Sequence, residues 1–136
     1  MIIGYTQGTY DMFHIGHLNL IRNAKAQCDY LIVGVNSDEL VRDYKQKKTI
    51  VPLHERMDII GSIRYVDQVV ACDTLDKIAN QKKFHFQKIF IGDDWKGNER
   101  WKKTEIEMKS LGAEVVYLPH TEGTSSTMLR EKLNEY

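Results

Sequence analysis

The sequence predicts an α/β fold, a mainly parallel five-stranded sheet with helices on both faces, and three observations carry that prediction. Short apolar runs alternate with segments of helical periodicity along the whole chain. The run at residues 30–35 is continuously apolar, as in a strand covered on both sides. No repeat, linker or low-complexity tract interrupts the alternation.

Taken in order, residues 2–6 read as a strand and residues 16–26 as a helix, in which Leu18, Ile21 and Arg22 fall on one repeat. A second strand spans 30–35, and a polar loop is expected through Thr49. "PLHERMDIIGSI" places Pro52 at a first helical position ahead of apolar residues at helical spacing. "VDQVVA" is a third strand, 75–81 a helix, "KIFIGDD" a fourth strand, 100–111 a helix, "AEVVYLP" a fifth strand and 125–134 a terminal helix. Right-handed crossovers between such strands give a Rossmann-like arrangement, in which ligands bind beyond the carboxyl ends of the strands.

At 136 residues and 42% hydrophobic content, the chain suits one core and a single domain over 1–136. Nineteen basic and nineteen acidic side chains cancel, so no global field favours nucleic acid, and any anion must meet a local cluster. No segment has the apolar length for membrane insertion, and a cytoplasmic protein is expected. Cys28 and Cys72 lack metal-ligand spacing and read as reduced thiols near the core.

The stretch "GTYDMFHIGHLNL" sits where the first strand turns into the first helix. Gly8 lets the backbone turn close to a ligand, and the helix that follows offers unpaired N–H groups and a partial positive charge. His14 and His17, three apart, point from one face of the first turn and can both donate to phosphate oxygens, with Gly16 leaving room for the phosphate. The competing readings are a satisfied core histidine, a metal pair helped by Asp11, and a general base for hydrolysis. The first is opposed by two imidazoles beside two glycines, the second by the lack of a nearby Cys or third His, and the third by the lack of a Gly-x-Ser-x-Gly turn. Phosphate binding is the favoured reading, and no resident metal centre is predicted.

Other candidates are less distinctive. "YKQKK" supplies Lys45, Lys47 and Lys48, with a solvated face as the alternative. Arg56 and Arg64 lie eight apart and can share one side of a helix; Arg64 is the better site candidate, and Arg56 has a salt-bridged surface position as its alternative. Lys77, in the first turn of the next helix, is a candidate for an acceptor phosphate. Asp94 can accept from a base amino group or a ribose hydroxyl, whereas Asp93 reads as a turn cap and Trp95 as core or nucleoside packing. In "TEGTSST", Thr121 and Gly123 shape a loop while Ser125, Ser126 and Thr127 offer hydroxyls and N–H groups either to phosphates or to a helix cap.

"GTYDMFHIGH" resembles the His-x-Gly-His signature of the cytidylyltransferase branch of the nucleotidyltransferase superfamily. "HTEGTSST" resembles that branch's second signature, and "GDDWKG" and "ERMDIIGSIRYVD" are similar to further family segments. The four matches keep the family order over nearly the entire chain, closest in length and motif to the members that act on glycerol 3-phosphate. The resemblance implies attack of an acceptor phosphate on the α-phosphorus of CTP with Mg²⁺ as cofactor, release of pyrophosphate, and a homodimer serving teichoic-acid or capsule precursors. It further implies His14, His17, Lys45 and Arg64 as catalytic residues, and Gly8, Thr9, Tyr10, Gly16, Lys47, Asp94, His120, Thr121, Gly123, Ser125, Ser126 and Thr127 as nucleotide-binding. Lys45 and Lys77 would face the acceptor. The chain departs from the family pattern at His120, where arginine is usual, at Thr124 for isoleucine and at Gln7 for tyrosine. Phosphocholine or phosphoethanolamine as acceptor, adenylyl transfer to a sugar phosphate, and a nonenzymatic nucleotide sensor are the rival functions.

Overall fold

A computed structural model describes residues 1–121 and 125–134, with the side chain of Ser126 outside the description. Five strands are present among the described residues: β1 (Ile3–Gly8), β2 (Tyr30–Asn36), β3 (Gln68–Cys72), β4 (Lys88–Gly92) and β5 (Glu114–Leu118). All pair in parallel in the order β3-β2-β1-β4-β5. The helices are α1 (Ile15–Lys25), α2 (Asp38–Lys45), α3 (Leu53–Gly61), α4 (Lys77–Phe84), α5 (Glu99–Ser110) and α6 (Ser126–Asn134). Because the chain winds outward from β1 to β3 and then returns to β4, the order reverses between β1 and β4, and a crevice opens there at the carboxyl edge.

Period-two alternation sends the side chains of β2 to two cores. Leu31, Val33 and Val35 join Ile21 and Ala24 of α1 and Ile60 of α3 on one face. Ile32 joins Tyr5, Phe86, Ile89, and Trp101 and Met108 of α5 on the other. Helices therefore cover both faces, and the expected fold class holds.

The expectation of a loop through Thr49 does not hold, because 38–45 is helical. The Ser37 hydroxyl accepts from the Leu40 N–H at 3.1 Å, Asp38 and Glu39 sit in the first turn, and Arg42 and Lys45 sit in the last. Val41 is its buried residue, so apolar periodicity was nearly silent while capping and charge order were not. At the other end of the "IGDD" run, the strand stops at Gly92 and residues 93–95 form a 3₁₀ turn.

Arg56 corrects a second expectation. Rather than a surface residue it is 1% exposed. Its Nε donates to the Val51 carbonyl at 2.8 Å, and one terminal nitrogen donates to the Thr9 and Asn36 carbonyls at 2.7 and 2.8 Å. The other terminal nitrogen meets Asp38 at 2.5 Å. One guanidinium thus ties the β1–α1, β2–α2 and α2–α3 connections together at the carboxyl edge. Arg56→Leu is expected to cost about 3 kcal/mol in urea unfolding, the low end for a broken buried pair because Asp38 stays partly exposed. A loss under about 0.5 kcal/mol, the scale of a surface substitution, would show that the three connections hold themselves.

Candidate active site

The crevice at the carboxyl edge is a cavity of about 880 Å³. Its floor begins with a strained turn. Tyr10 and Met12 both have φ of 55°, in the left-handed region. The Tyr10 ring folds back over Gly8, where a Cβ would stand 2.9 Å from its Cζ. Thus Gly8 serves Tyr10, and Tyr10 in turn meets the His17 ring edge-on at 5.2 Å while Phe13 flanks the same ring at 5.3 Å.

The two histidines cap α1 reciprocally. His14 Nδ1 accepts from the Gly16 N–H at 3.1 Å, and His17 Nδ1 accepts from the His14 N–H at 3.2 Å. A ring nitrogen that accepts carries no proton, so in both neutral rings the N–H is at Nε2. The rings stack with centroids 3.8 Å apart. Two cations at that separation would repel; burial, the neighbouring His14 and Lys45 together push His17 down to about 4, and burial lowers His14 as well. Both are therefore neutral Nε2–H donors at neutral pH. A Cβ at Gly16 would lie 2.9 Å from His14 Cε1, so the glycine makes space for the imidazole, and it lines the cavity as well.

Asp11 was read only as a metal helper, yet it is 3% exposed and accepts from the Ile50 and Val51 N–H groups at 2.9 Å each and from Arg130. It joins the turn to the segment after the lysines and to α6. Below it, Gln7 donates to Asn36 Oδ1 at 2.8 Å and accepts from Tyr5 and Asn80 at 2.7 and 2.9 Å, while Asn36 donates to Thr9 Oγ1 at 3.2 Å. Gln7 in place of tyrosine thus carries four-way hydrogen bonding, counting its 3.0 Å bond to the Thr74 carbonyl.

Most of the predicted residues do converge. Gly8, Thr9, Tyr10, His14, Gly16, His17, Lys45, Lys47, Lys77, Asp94, His120, Thr121, Ser125 and Thr127 all line the cavity. Lys45 does so from the last residue of α2 and Lys47 from the loop after it. Ser125 fulfils the capping alternative, its hydroxyl accepting from the Met128 N–H at 3.1 Å. Thr121 accepts from Asn19 of α1 at 2.9 Å. Gly123 lies outside the described residues, as does the side chain of Ser126.

Arg64 is not brought to the cavity. It follows α3 at the opposite, amino edge of the sheet, where it donates to the Tyr65 hydroxyl at 2.8 Å and covers that ring at 5.0 Å. The helix ends at Gly61, so the two-turn spacing from Arg56 is broken before it reaches Arg64. Arg100 and Arg130 line the cavity instead, and neither stands in a segment singled out from the sequence.

At the far end, His120 Nδ1 stands 2.5 Å from Asp93 Oδ1. That hydrogen bond, above all, holds the Asp93 carboxyl below the usual range. Ligand atoms of Asp93, Asp94 and His120 lie within 4.8 Å of one another. Two atoms bound to one small cation at about 2.1 Å each stand about 3 Å apart, so the Asp93–His120 contact is a hydrogen bond and not a ligand pair.

Residues 5–132 match the family model for cytidylyltransferase-like proteins. The chain belongs to that family. It is 39% identical over 133 residues to a glycerol-3-phosphate cytidylyltransferase of Bacillus subtilis, covering 94% of each chain. It is 37% identical to the enzyme of the same name from Staphylococcus aureus, covering 94% of this chain and 92% of that one. An FAD synthase of Thermococcus kodakarensis is 34% identical over 115 residues, covering 83% of this chain and 76% of its own. In structure, a lipopolysaccharide core biosynthesis protein from Thermoplasma volcanium superposes with a TM-score of 0.78 at 23% identity, covering 90% of this chain and 99% of that one, which speaks to fold alone.

The lowered pKa of His17 has a consequence for stability. The unfolded chain takes up a proton near 6.5 whereas the folded chain resists it until about 4, so stability present above 6.5 is lost as pH falls toward 4. Urea midpoints are expected to drop between pH 7 and 5 in the wild type and to drop less in His17→Gln. Parallel curves would show that the ring is not held neutral by its surroundings.

Proposed function

We propose that the protein transfers a cytidylyl group from CTP to glycerol 3-phosphate, giving CDP-glycerol and pyrophosphate. An acceptor phosphate oxygen attacks the α-phosphorus, the new P–O bond forms, and the bond to the bridging oxygen of the β-phosphate breaks. Such a displacement needs little covalent help and much positioning of charge. The observation that carries this reading is the pair of mutually capped imidazoles that line the cavity with Nε2–H left as the donor of each. As neutral donors they favour charge on phosphate oxygens without offering a proton acceptor at Nδ1. The near-full-length similarity to two glycerol-3-phosphate cytidylyltransferases supports the choice of nucleotide and acceptor.

Mg²⁺ belongs to this reading as the partner of the triphosphate, where it would shield phosphate charge. Of the two carboxylates lining the cavity among the described residues, Asp11 is buried and already holds several donors, whereas Asp94 is exposed. Asp94 is the residue that fits contact with the cation. No helix among the described residues is long and apolar enough to cross a membrane, in keeping with small water-borne substrates in the cytoplasm. A homodimer is also part of the proposal, supported by the family-like "RYVD" segment away from the cavity, and light scattering of the purified protein tests it.

Pyrophosphate release from CTP, glycerol 3-phosphate and Mg²⁺ tests the reaction, with ATP replacing CTP and phosphocholine replacing the acceptor in parallel. His14→Ala and His17→Ala are each expected to lower turnover by about 10²–10³, the scale of one lost transition-state donor. Near-normal turnover in both would remove the central claim. Lys45→Ala is expected chiefly to raise the acceptor KM and Lys47→Ala the CTP KM, both effects shrinking in added salt. Unchanged constants in both variants would return the lysines to a solvated face.

A further inference from the structure

Helix α1 presents Gly16, Asn19 and Arg22 at intervals of three, so they stand in one row along its surface. Thr121, which follows β5 and lines the cavity, lies against that row: a Cβ at Gly16 would stand 3.6 Å from the Thr121 Cβ. Next along the row, Asn19 Nδ2 donates to Thr121 Oγ1 at 2.9 Å. Beyond it Arg22 donates to Asn19 Oδ1, and its guanidinium also adjoins the Tyr65 hydroxyl. Neither Asn19 nor Arg22 lines the cavity.

The row has a fixed direction. An arginine can only donate, so the amide atom that meets Arg22 is the carbonyl oxygen, and the Asn19 NH₂ is thereby turned to Thr121. The Thr121 oxygen accepts on its α1 side, which leaves its own hydrogen for another partner. Among the described residues Thr121 donates no hydrogen bond, and the space it lines is the cavity. A carboxylate in place of either the amide or the guanidinium would reverse the row, because each link would then donate away from the cavity.

We propose that Arg22 and Asn19 are positioning residues, which polarise a hydrogen-bond relay so that the Thr121 hydroxyl faces the cavity as a donor to a phosphate oxygen of CTP. The inference rests on the cytidylyl-transfer reading and adds to it two residues that touch no substrate. The Thr121 hydroxyl joins the Nε2–H groups of His14 and His17, whose direction is likewise set by a hydrogen bond at the other side of the group. All three are neutral donors at the start of α1, and none has to turn when charge develops on the ligand. A ligand group that donates, such as an amino group, would need the opposite direction at Thr121, which Arg22 opposes.

Calorimetric titration of the full chain with CTP and Mg²⁺ reads the relay apart from turnover, and pyrophosphate release with glycerol 3-phosphate reads kcat and both KM values. Asn19→Asp keeps the side-chain shape but only accepts, so it draws the Thr121 hydrogen back to α1. The Kd and KM for CTP are expected to rise about tenfold, the low end for one hydrogen bond to a charged group, with kcat and the acceptor KM unchanged. Thr121→Val is expected to match it, and adding Asn19→Asp to Thr121→Val to change the Kd by less than about twofold, whereas a new charge or a loosened loop would act in either background. Arg22→Glu, at an exposed position, reverses the relay from its far end and is expected to act as Asn19→Asp does, even where that variant does not fold. Arg22→Lys, again only a donor, is expected to keep the wild-type Kd. A wild-type Kd in Asn19→Asp or Arg22→Glu would overturn the inference, as would effects that multiply with that of Thr121→Val or an Arg22→Lys variant as weak as Arg22→Glu. No CTP binding and no pyrophosphate release in the wild type would instead defeat the cytidylyl-transfer reading, and this inference with it.

Discussion

The geometry of the carboxyl edge depends on a single buried cation. Without Arg56, the carbonyls of Thr9, Asn36 and Val51 and the carboxylate of Asp38 would lose a common donor. Those four acceptors stand on three different connections, and a parallel sheet does not by itself fix how its loops sit relative to one another. Hydrophobic burial sets the sheet and the helices that flank it. The polar tie then decides where the turn carrying Tyr10, His14 and His17 meets the segment carrying the lysines. A planar guanidinium suits this, because it spreads its donors in fixed directions while an ammonium would concentrate them at a point.

On that frame the site separates two kinds of positive electrostatics. The wall formed by α1 is neutral: both imidazoles spend Nδ1 on backbone N–H groups, and burial, the stacked neighbour and Lys45 oppose protonation of His17. Formal charge arrives from the rim on long side chains, from Lys45 and Lys47 on one side, Lys77 and Arg100 on another and Arg130 on a third. Fixed neutral donors need little reorganisation when charge develops, whereas rim cations draw polyanions in and adapt to them.

How much of this was legible in the sequence follows from the reach of each signal. The strands, their parallel class and the histidine turn were readable because period, glycine and capping chemistry act within a few residues. Helix α2 was missed because its signals lay in Ser37 and in charge order, with Val41 alone buried. Arg56 and Asp11 were misread for the opposite reason: their partners are distant in sequence, 47 residues away in the bond from Arg56 to Thr9 and 119 in that from Arg130 to Asp11. Spacing along a helix cannot reveal such closures. Arg64 shows the converse, since a plausible helical spacing fails once the helix stops at Gly61.

Asp11 explains how the rim and the wall stay in register. A carboxylate that is 3% exposed must be satisfied, and its partners come from the turn's two neighbours: the Ile50 and Val51 amides beyond the lysines, and Arg130 of α6. Arg130 also lines the cavity, so one guanidinium joins the α6 side of the site to the carboxylate that holds the lysine segment against the turn.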